Sequence, residues 1–120
     1  MKNIAFEKYQ GNGNDFVVID SRGNDLYKNY KTNKSFDIKK ICNRQFGIGA
    51  DGVIFIEEPN EDNYAKMIIF NSDGSEAQMC GNGIRCLVEY LHINDSIKNK
   101  NIEYKIETKA GLKIAKYIND

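Results

Sequence analysis

Histidine, excess charge of either sign and long apolar runs are what this sequence is short of. Lysine plus arginine and aspartate plus glutamate each number 17, so there is no basic face for nucleic acid and no acidic tail. That balance excludes a partner chosen by bulk electrostatics alone. No stretch approaches the roughly 20 apolar residues of a spanning helix. The opening MKNIAFEKYQ alternates polar and apolar residues where a secretory leader would stay apolar. The expectation is a soluble, cytoplasmic protein that engages neither membrane nor nucleic acid. There are only three cysteines, Cys42, Cys80 and Cys86, at spacings that suit neither a disulfide framework nor a zinc site. A reducing compartment and the absence of a structural metal follow. Internal repeats, low-complexity tracts and interdomain linkers are also missing, which leaves 120 residues as one domain, large enough to bury a core without staples.

What is present is mostly extended. Residues 3–9 and DFVVID at 15–20 predict strands joined by the turn-forming GNGN at 11–14. Residues 21–35, polar and rich in asparagine and lysine, carry no clear period and are expected to form a loop. From Asp37 onward Ile38, Ile41, Cys42 and Phe46 recur at helical spacing, with Ser35 or Asp37 as cap and Gly47 as stop. VIFIEE and YAKMIIF predict two strands, the second apolar enough to be covered on both faces. NIEYKIET and LKIAKYI, joined by KAG, predict a closing hairpin. The sum is an α+β domain in which about six mixed or antiparallel strands wrap around a central buried helix.

That helix follows MCGNGIRC. Ile84, Leu87, Val88 and Leu91 fall at i, i+3, i+4 and i+7, and Cys86, Tyr90 and Ile93 widen the apolar stripe. If the first turn lies near Asn82, the free N–H groups of residues 81–83 face Cys80, and the positive end of the helix dipole lies beside its sulfur. Such a setting favours thiolate over thiol and also makes an anion site, where glycines let a carboxylate or phosphate approach the backbone. The local residues equally allow Cys80 to be a small apolar residue beside a buried helix start. Cys86, six residues further on and roughly 9 Å along the axis, faces elsewhere, and Cys42 shares a stripe with Ile38 and Ile41. Both are expected to be structural.

Two features mislead. GIGADG at 47–52 matches the dinucleotide fingerprint literally, but that fingerprint needs a strand before it and a helix after, and here the order is reversed. A tight turn bringing backbone near the site, capped by Asp51, is the better expectation. His92, the single histidine, would lie roughly 18 Å from Cys80 along a helix, too far for proton transfer, and is expected at a surface or interface.

In this order and spacing, GNGNDFVVID, GIGADG and FNSDGSEAQMCGNGIRC resemble diaminopimelate epimerases, cofactor-independent enzymes that interconvert LL- and meso-diaminopimelate. The resemblance runs from near Met1 to Asp120. Proline racemase-like proteins tend to carry a histidine in the Cys-Gly-x turn, and phenazine-biosynthesis isomerase relatives lack this cysteine, so Cys80 with Asn82 favours the epimerase. The resemblance implies that Cys80 moves a proton at the substrate α-carbon and that the backbone of Gly81 and Asn82 holds the α-carboxylate. It also implies that Asn14 and Asn71 bind the distal, non-reacting end of diaminopimelate. From the residues alone both asparagines would be assigned to turns. Gly52 stands where certain relatives have a glutamine reaching the ligand, so no side-chain contact is expected there.

Inversion needs one group to take a proton from one face and another to deliver it to the opposite face, and neither Cys42 nor Cys86 is placed for the second task. The family uses a second cysteine from a similar lobe, and its enzymes are roughly double this length and commonly dimeric. Residues 1–120 are therefore expected to be the amino-terminal lobe, inactive or nearly so until joined to the carboxy-terminal lobe. A proline racemase-like isomerase and a stand-alone amino-acid-binding module are the alternatives.

Overall fold

A computed structural model describes residues 4–34, 37–95 and 101–118. The chain opens with β1 (Glu7–Gly11) and β2 (Asn14–Asp20), an antiparallel hairpin. Asn12 and Gly13 turn it with φ of 49° and 89°, both in the left-handed region that a two-residue hairpin turn requires. Two helices follow, α1 (Leu26–Asn33) and α2 (Ile38–Cys42), and then β3 (Gly52–Glu57), β4 (Ala65–Asn71) and the two-residue β5 (Glu76–Ala77). Helix α3 (Gly81–Asn94) precedes the hairpin of β6 (Asn101–Thr108) and β7 (Gly111–Ile118). These strands form one seven-stranded mixed sheet in the order β1-β2-β3-β4-β6-β7, with β5 paired to β4. The β2–β3 and β4–β6 pairs are parallel and the rest antiparallel. Helix α3 touches β1 and β2 at one end of the order and β7 at the other, so the sheet curls around it.

The period of two along the central strands divides the core into two halves. Phe16 and Val18, Ile54 and Ile56, and Met67 and Ile69 face α3, where Ile84, Leu87, Val88 and Leu91 meet them. The alternate residues Val17 and Ile19, Val53 and Phe55, and Ile68 and Phe70 face α1 and α2. Both faces of the middle of the sheet are thus covered, as the apolar runs require.

Three expectations are corrected. Residues 21–35 are not all loop, because α1 occupies Leu26–Asn33. Its buried Tyr30 stacks on Phe55 at 5.6 Å and meets Phe70 edge-on, while Tyr27 lies 5.1 Å from Phe55, so two tyrosines cover the sheet without an apolar stripe. Helix α2 is shorter than its spacing predicts. Asp37 caps it by accepting from the backbone of Lys39 and Lys40, but Asn43 ends it at Cys42, its side chain taking the N–H groups of Gln45 and Phe46 that a longer helix would have used. Phe46 therefore stands 85% exposed, and the other proposed cap, Ser35, lies outside the described residues. Ile93 is also off the buried stripe of α3, at 56% exposure. His92 is half-buried and sits 3.1 Å from the Tyr104 hydroxyl on β6.

The carboxyl end of α3 is tied to the sheet. Asp95, its last cap, accepts two hydrogen bonds from the Arg22 guanidinium at 2.9 Å each and one from the Tyr64 hydroxyl at 2.6 Å. Arg22 also holds Asp20 at the end of β2. An acidic residue at the negative end of a helix dipole is unfavourable unless a cation answers it, and Arg22 does. Burial works to raise the Asp95 carboxyl, and the Arg22 and Tyr64 hydrogen bonds outweigh it, so it is held below its ordinary value. Beside Arg22, Ser21 is 2% exposed, and its backbone N–H donates to Ile56 while its hydroxyl has no partner among the described residues. No helix among the described residues is long and apolar enough to cross a membrane.

Candidate active site

The register of three strands brings distant segments to one end of the sheet. Phe16 on β2 pairs with Gly52 in parallel β3, and Gly52 pairs with Asn71 in antiparallel β4. Asn14 therefore begins β2 where β3 begins and β4 ends, and α3 starts over the same edge. Gly52 has no room for a side chain, since a Cβ there would lie 2.5 Å from the Phe70 carbonyl oxygen and 3.1 Å from the Phe16 ring. Glycine at position 52 is thus a requirement of strand spacing in this chain.

Cys80 is the N-cap of α3, with extended φ −145° and ψ 121°, and no side chain caps the helix. The first helical bond runs from Ile84 N–H to the Cys80 carbonyl at 2.9 Å. The N–H groups of Gly81, Asn82 and Gly83 are consequently left without helical acceptors beside the cysteine. Gly83 seats the turn on the sheet, where an added Cβ would come within 2.7 Å of the Ile69 side chain. Gly81 faces the other way. It is exposed, and an added Cβ would meet nothing within 4 Å. One glycine lets the helix approach the sheet, and the other keeps the amides approachable from outside.

Asn82 donates from its side chain to Asn14 Oδ1 at 2.5 Å, and Asn14 Nδ2 donates to Asp51 Oδ2 at 3.2 Å. Asp51 does not cap its own GIGADG turn. Its Oδ2 accepts from the Asp15 backbone at 3.0 Å, and its Oδ1 meets Arg44 at 3.1 Å. Asp15 in turn is paired with Arg44 at 2.8 Å and Lys8 at 2.9 Å. The Arg44 hydrogen bond is the main reason that the Asp15 carboxyl lies well below the usual carboxylate range. The structure thus joins Asn14 and Asn82 directly and places Cys80 and Gly81 in the same turn. Asn71 stands at the same sheet end but is bonded within its own turn, its side chain donating to the Ser75 hydroxyl at 3.0 Å. Asp51, Arg44 and Lys8 were not singled out as site residues by the sequence, and nothing local to Arg44, an exposed residue in an irregular segment, signals its pairing with Asp15 and Asp51.

The remaining thiols separate cleanly. Cys86 is 2% exposed under Gly11, and its thiol is pushed up to about 11, chiefly by burial and further by its nearness to Cys80. Cys42 lies in the opposite half of the core, its thiol likewise raised by burial. Only Cys80 among the three is partly open to solvent. Among the described residues no three histidine, cysteine, aspartate or glutamate side chains gather into a metal site.

Residues 6–120 match the family model of diaminopimelate epimerase. The chain belongs to the diaminopimelate epimerase family. The curated diaminopimelate epimerase of Prochlorococcus marinus strain NATL2A is 55% identical over 119 residues, covering 99% of this chain and 41% of the relative. That of Methanocaldococcus jannaschii is 46% identical over 113 residues, 37% of its length. The epimerase-family chain therefore spans less than half the length of these curated relatives. Among solved structures, a probable proline racemase from Agrobacterium radiobacter K84 superposes with a TM-score of 0.73 at 18% identity, covering 98% of this chain and 38% of that one. At such identity the likeness establishes the fold, a diaminopimelate epimerase-like α+β lobe with the strands curled about α3.

Proposed function

We propose that this chain is the amino-terminal lobe of a two-lobed diaminopimelate epimerase, with Cys80 as one of two facing acid–base groups. The observation that carries the reading is the uncapped start of α3, where a half-open cysteine and three unengaged amides share one turn. An α-proton beside a carboxylate is only weakly acidic, so its removal requires a base together with donors for the charge that develops. Cys80 supplies the base. The N–H groups of Gly81, Asn82 and Gly83 donate to the carboxylate oxygens, into which the electron pair of the broken C–H bond is delocalised.

The C–H bond breaks as an S–H bond forms on Cys80, and a thiol of the carboxy-terminal lobe then gives its proton to the opposite face of the carbon. Configuration inverts with no net oxidation and without a cofactor. The exposure of Gly81 and Asn71 supports a second wall, since these groups line an open edge and not an enclosed pocket. Asn14 and Asn71 hold the distal end of LL- or meso-diaminopimelate in this reading, and the complete enzyme works as a cytoplasmic homodimer whose thiols remain reduced.

The test follows α-hydrogen exchange in heavy water, by NMR, with the protein carrying both lobes, on diaminopimelate and on proline separately. Exchange with inversion on diaminopimelate alone is expected. Exchange on proline alone would replace this reading with a proline racemase-like one, and binding without exchange would leave an amino-acid-binding module.

A further inference from the structure

Behind the two asparagines lies a third residue whose chemistry dictates how they are oriented. A carboxylate only accepts hydrogen bonds, so the edge of the Asn14 amide that meets Asp51 must be its NH₂ group. The carbonyl edge of Asn14 is then the one left for Asn82, and Asn82 must turn its own NH₂ toward it. The two hydrogen bonds run in that direction, Asn14 Nδ2 to Asp51 Oδ2 and Asn82 Nδ2 to Asn14 Oδ1. Arg44 and the Asp15 backbone hold the Asp51 carboxylate from its other sides, so it cannot rotate away to follow Asn14.

We infer that Asp51 is a positioning residue for the ligand site, fixing through Asn14 the orientation of Asn82 and with it the amide-bearing turn beside Cys80. Asp51 touches neither the thiol nor the amides that take the carboxylate. Its effect passes through two side-chain amides joining segments 68 residues apart in sequence. The inference rests on the epimerase reading for its kinetic test, and on hydrogen bonding alone for its spectroscopic one.

The isosteric change Asp51→Asn removes the acceptor-only edge while keeping shape, and lets the Asn14 amide invert. In the protein carrying both lobes, we expect KM for diaminopimelate to rise about tenfold, with kcat changed by less than about threefold. In an Asn14→Ala background the same change is expected to alter KM by less than about twofold, since the relay is already cut. A merely structural role would instead lower apparent kcat through loss of folded protein with KM unmoved, and would add undiminished in the second background. Equal effects in the two backgrounds would overturn the inference.

A variant-free measurement stands beside this. In the unsubstituted, ligand-free protein the side-chain amide protons of Asn14 and Asn82 should exchange with water more slowly than those of exposed Asn60. Exchange as fast as at Asn60 would overturn the relay whatever the enzyme's substrate. Slow exchange in a protein inactive on diaminopimelate would instead fault the epimerase reading and leave the relay standing.

Discussion

The two ends of α3 are built on opposite terms. At the carboxyl end side chains fix the cap: Asp95 takes three hydrogen bonds from Arg22 and Tyr64, and Arg22 reaches back to Asp20 on β2. At the amino end no side chain caps the helix, and three backbone donors are left beside Cys80. One helix thus carries an anchored end and an unfinished one, and the unfinished end is where a ligand can complete the hydrogen bonding. The difference teaches that an uncapped terminus is informative only when the rest of the helix is firmly held, since a loosely seated helix would spread its amides over many directions.

Substitutions at the two ends should therefore act on different observables. The largest effect is expected from Cys80→Ala in the two-lobed protein, where epimerisation should fall by roughly 10³-fold or more while the melting temperature stays within about 1 °C. Retained turnover would remove Cys80 from the mechanism. Next comes Arg22→Ala, which leaves Asp20 and Asp95 facing each other without their cation and should cost about 2 kcal/mol in urea unfolding, with turnover per folded molecule unchanged. Loss of activity matching that of Cys80→Ala would refute the division between the ends.

The same anchor sets a pH dependence. The Asp95 carboxyl is held below its ordinary value, so its contribution is complete above the unfolded-state pKa of about 3.9 and is lost as pH falls through the lower folded-state value. Matched for neutral-pH stability in urea, Asp95→Asn protein should thus unfold at lower pH than the unsubstituted protein, because the proton that Asp95 takes up on acid unfolding is gone. Gly81→Ala should be smaller again. Stability should shift by less than about 1 kcal/mol, because the added methyl meets nothing, while diaminopimelate binding by calorimetry should weaken about tenfold as the methyl crowds the amides. Unaltered affinity would show that the carboxylate lies elsewhere. Smallest is Ser21→Ala, where removing a hydroxyl without a described partner should leave stability the same or raise it by up to about 1 kcal/mol; a clear loss would reveal a partner.

How much of this was legible beforehand depended on whether a signal was local. The strands were, because apolar, β-branched runs such as residues 16–19 lie between turn residues, and the buried stripe of Ile84, Leu87, Val88 and Leu91 was equally plain. Helix α1 was not, since Leu26–Asn33 earns its place through Tyr27 and Tyr30 packing on Phe55, a partner distant in sequence. The end of α2 failed for a different reason: Asn43 competes for backbone donors that hydrophobic spacing assigns to a longer helix. At the site, Cys80 and the glycines announced themselves through a thiol at a helix start. Asn14 and Asn71 were indistinguishable from turn residues without the family resemblance. Asp51 reaches Asn14, and Arg44 reaches Asp15, only because β2 and β3 run parallel, which no short window of sequence discloses.

That parallel pairing also governs when the site can exist. Asn14, Asp51 and Asn82 reach one another only after β2 and β3 have aligned and α3 has settled across them, so most of the chain must leave the ribosome before the relay closes. A nascent or partly denatured molecule carries the cysteine without its surrounding amides. The order of assembly thus keeps the turn at the start of α3 unset until the segments that orient it have met.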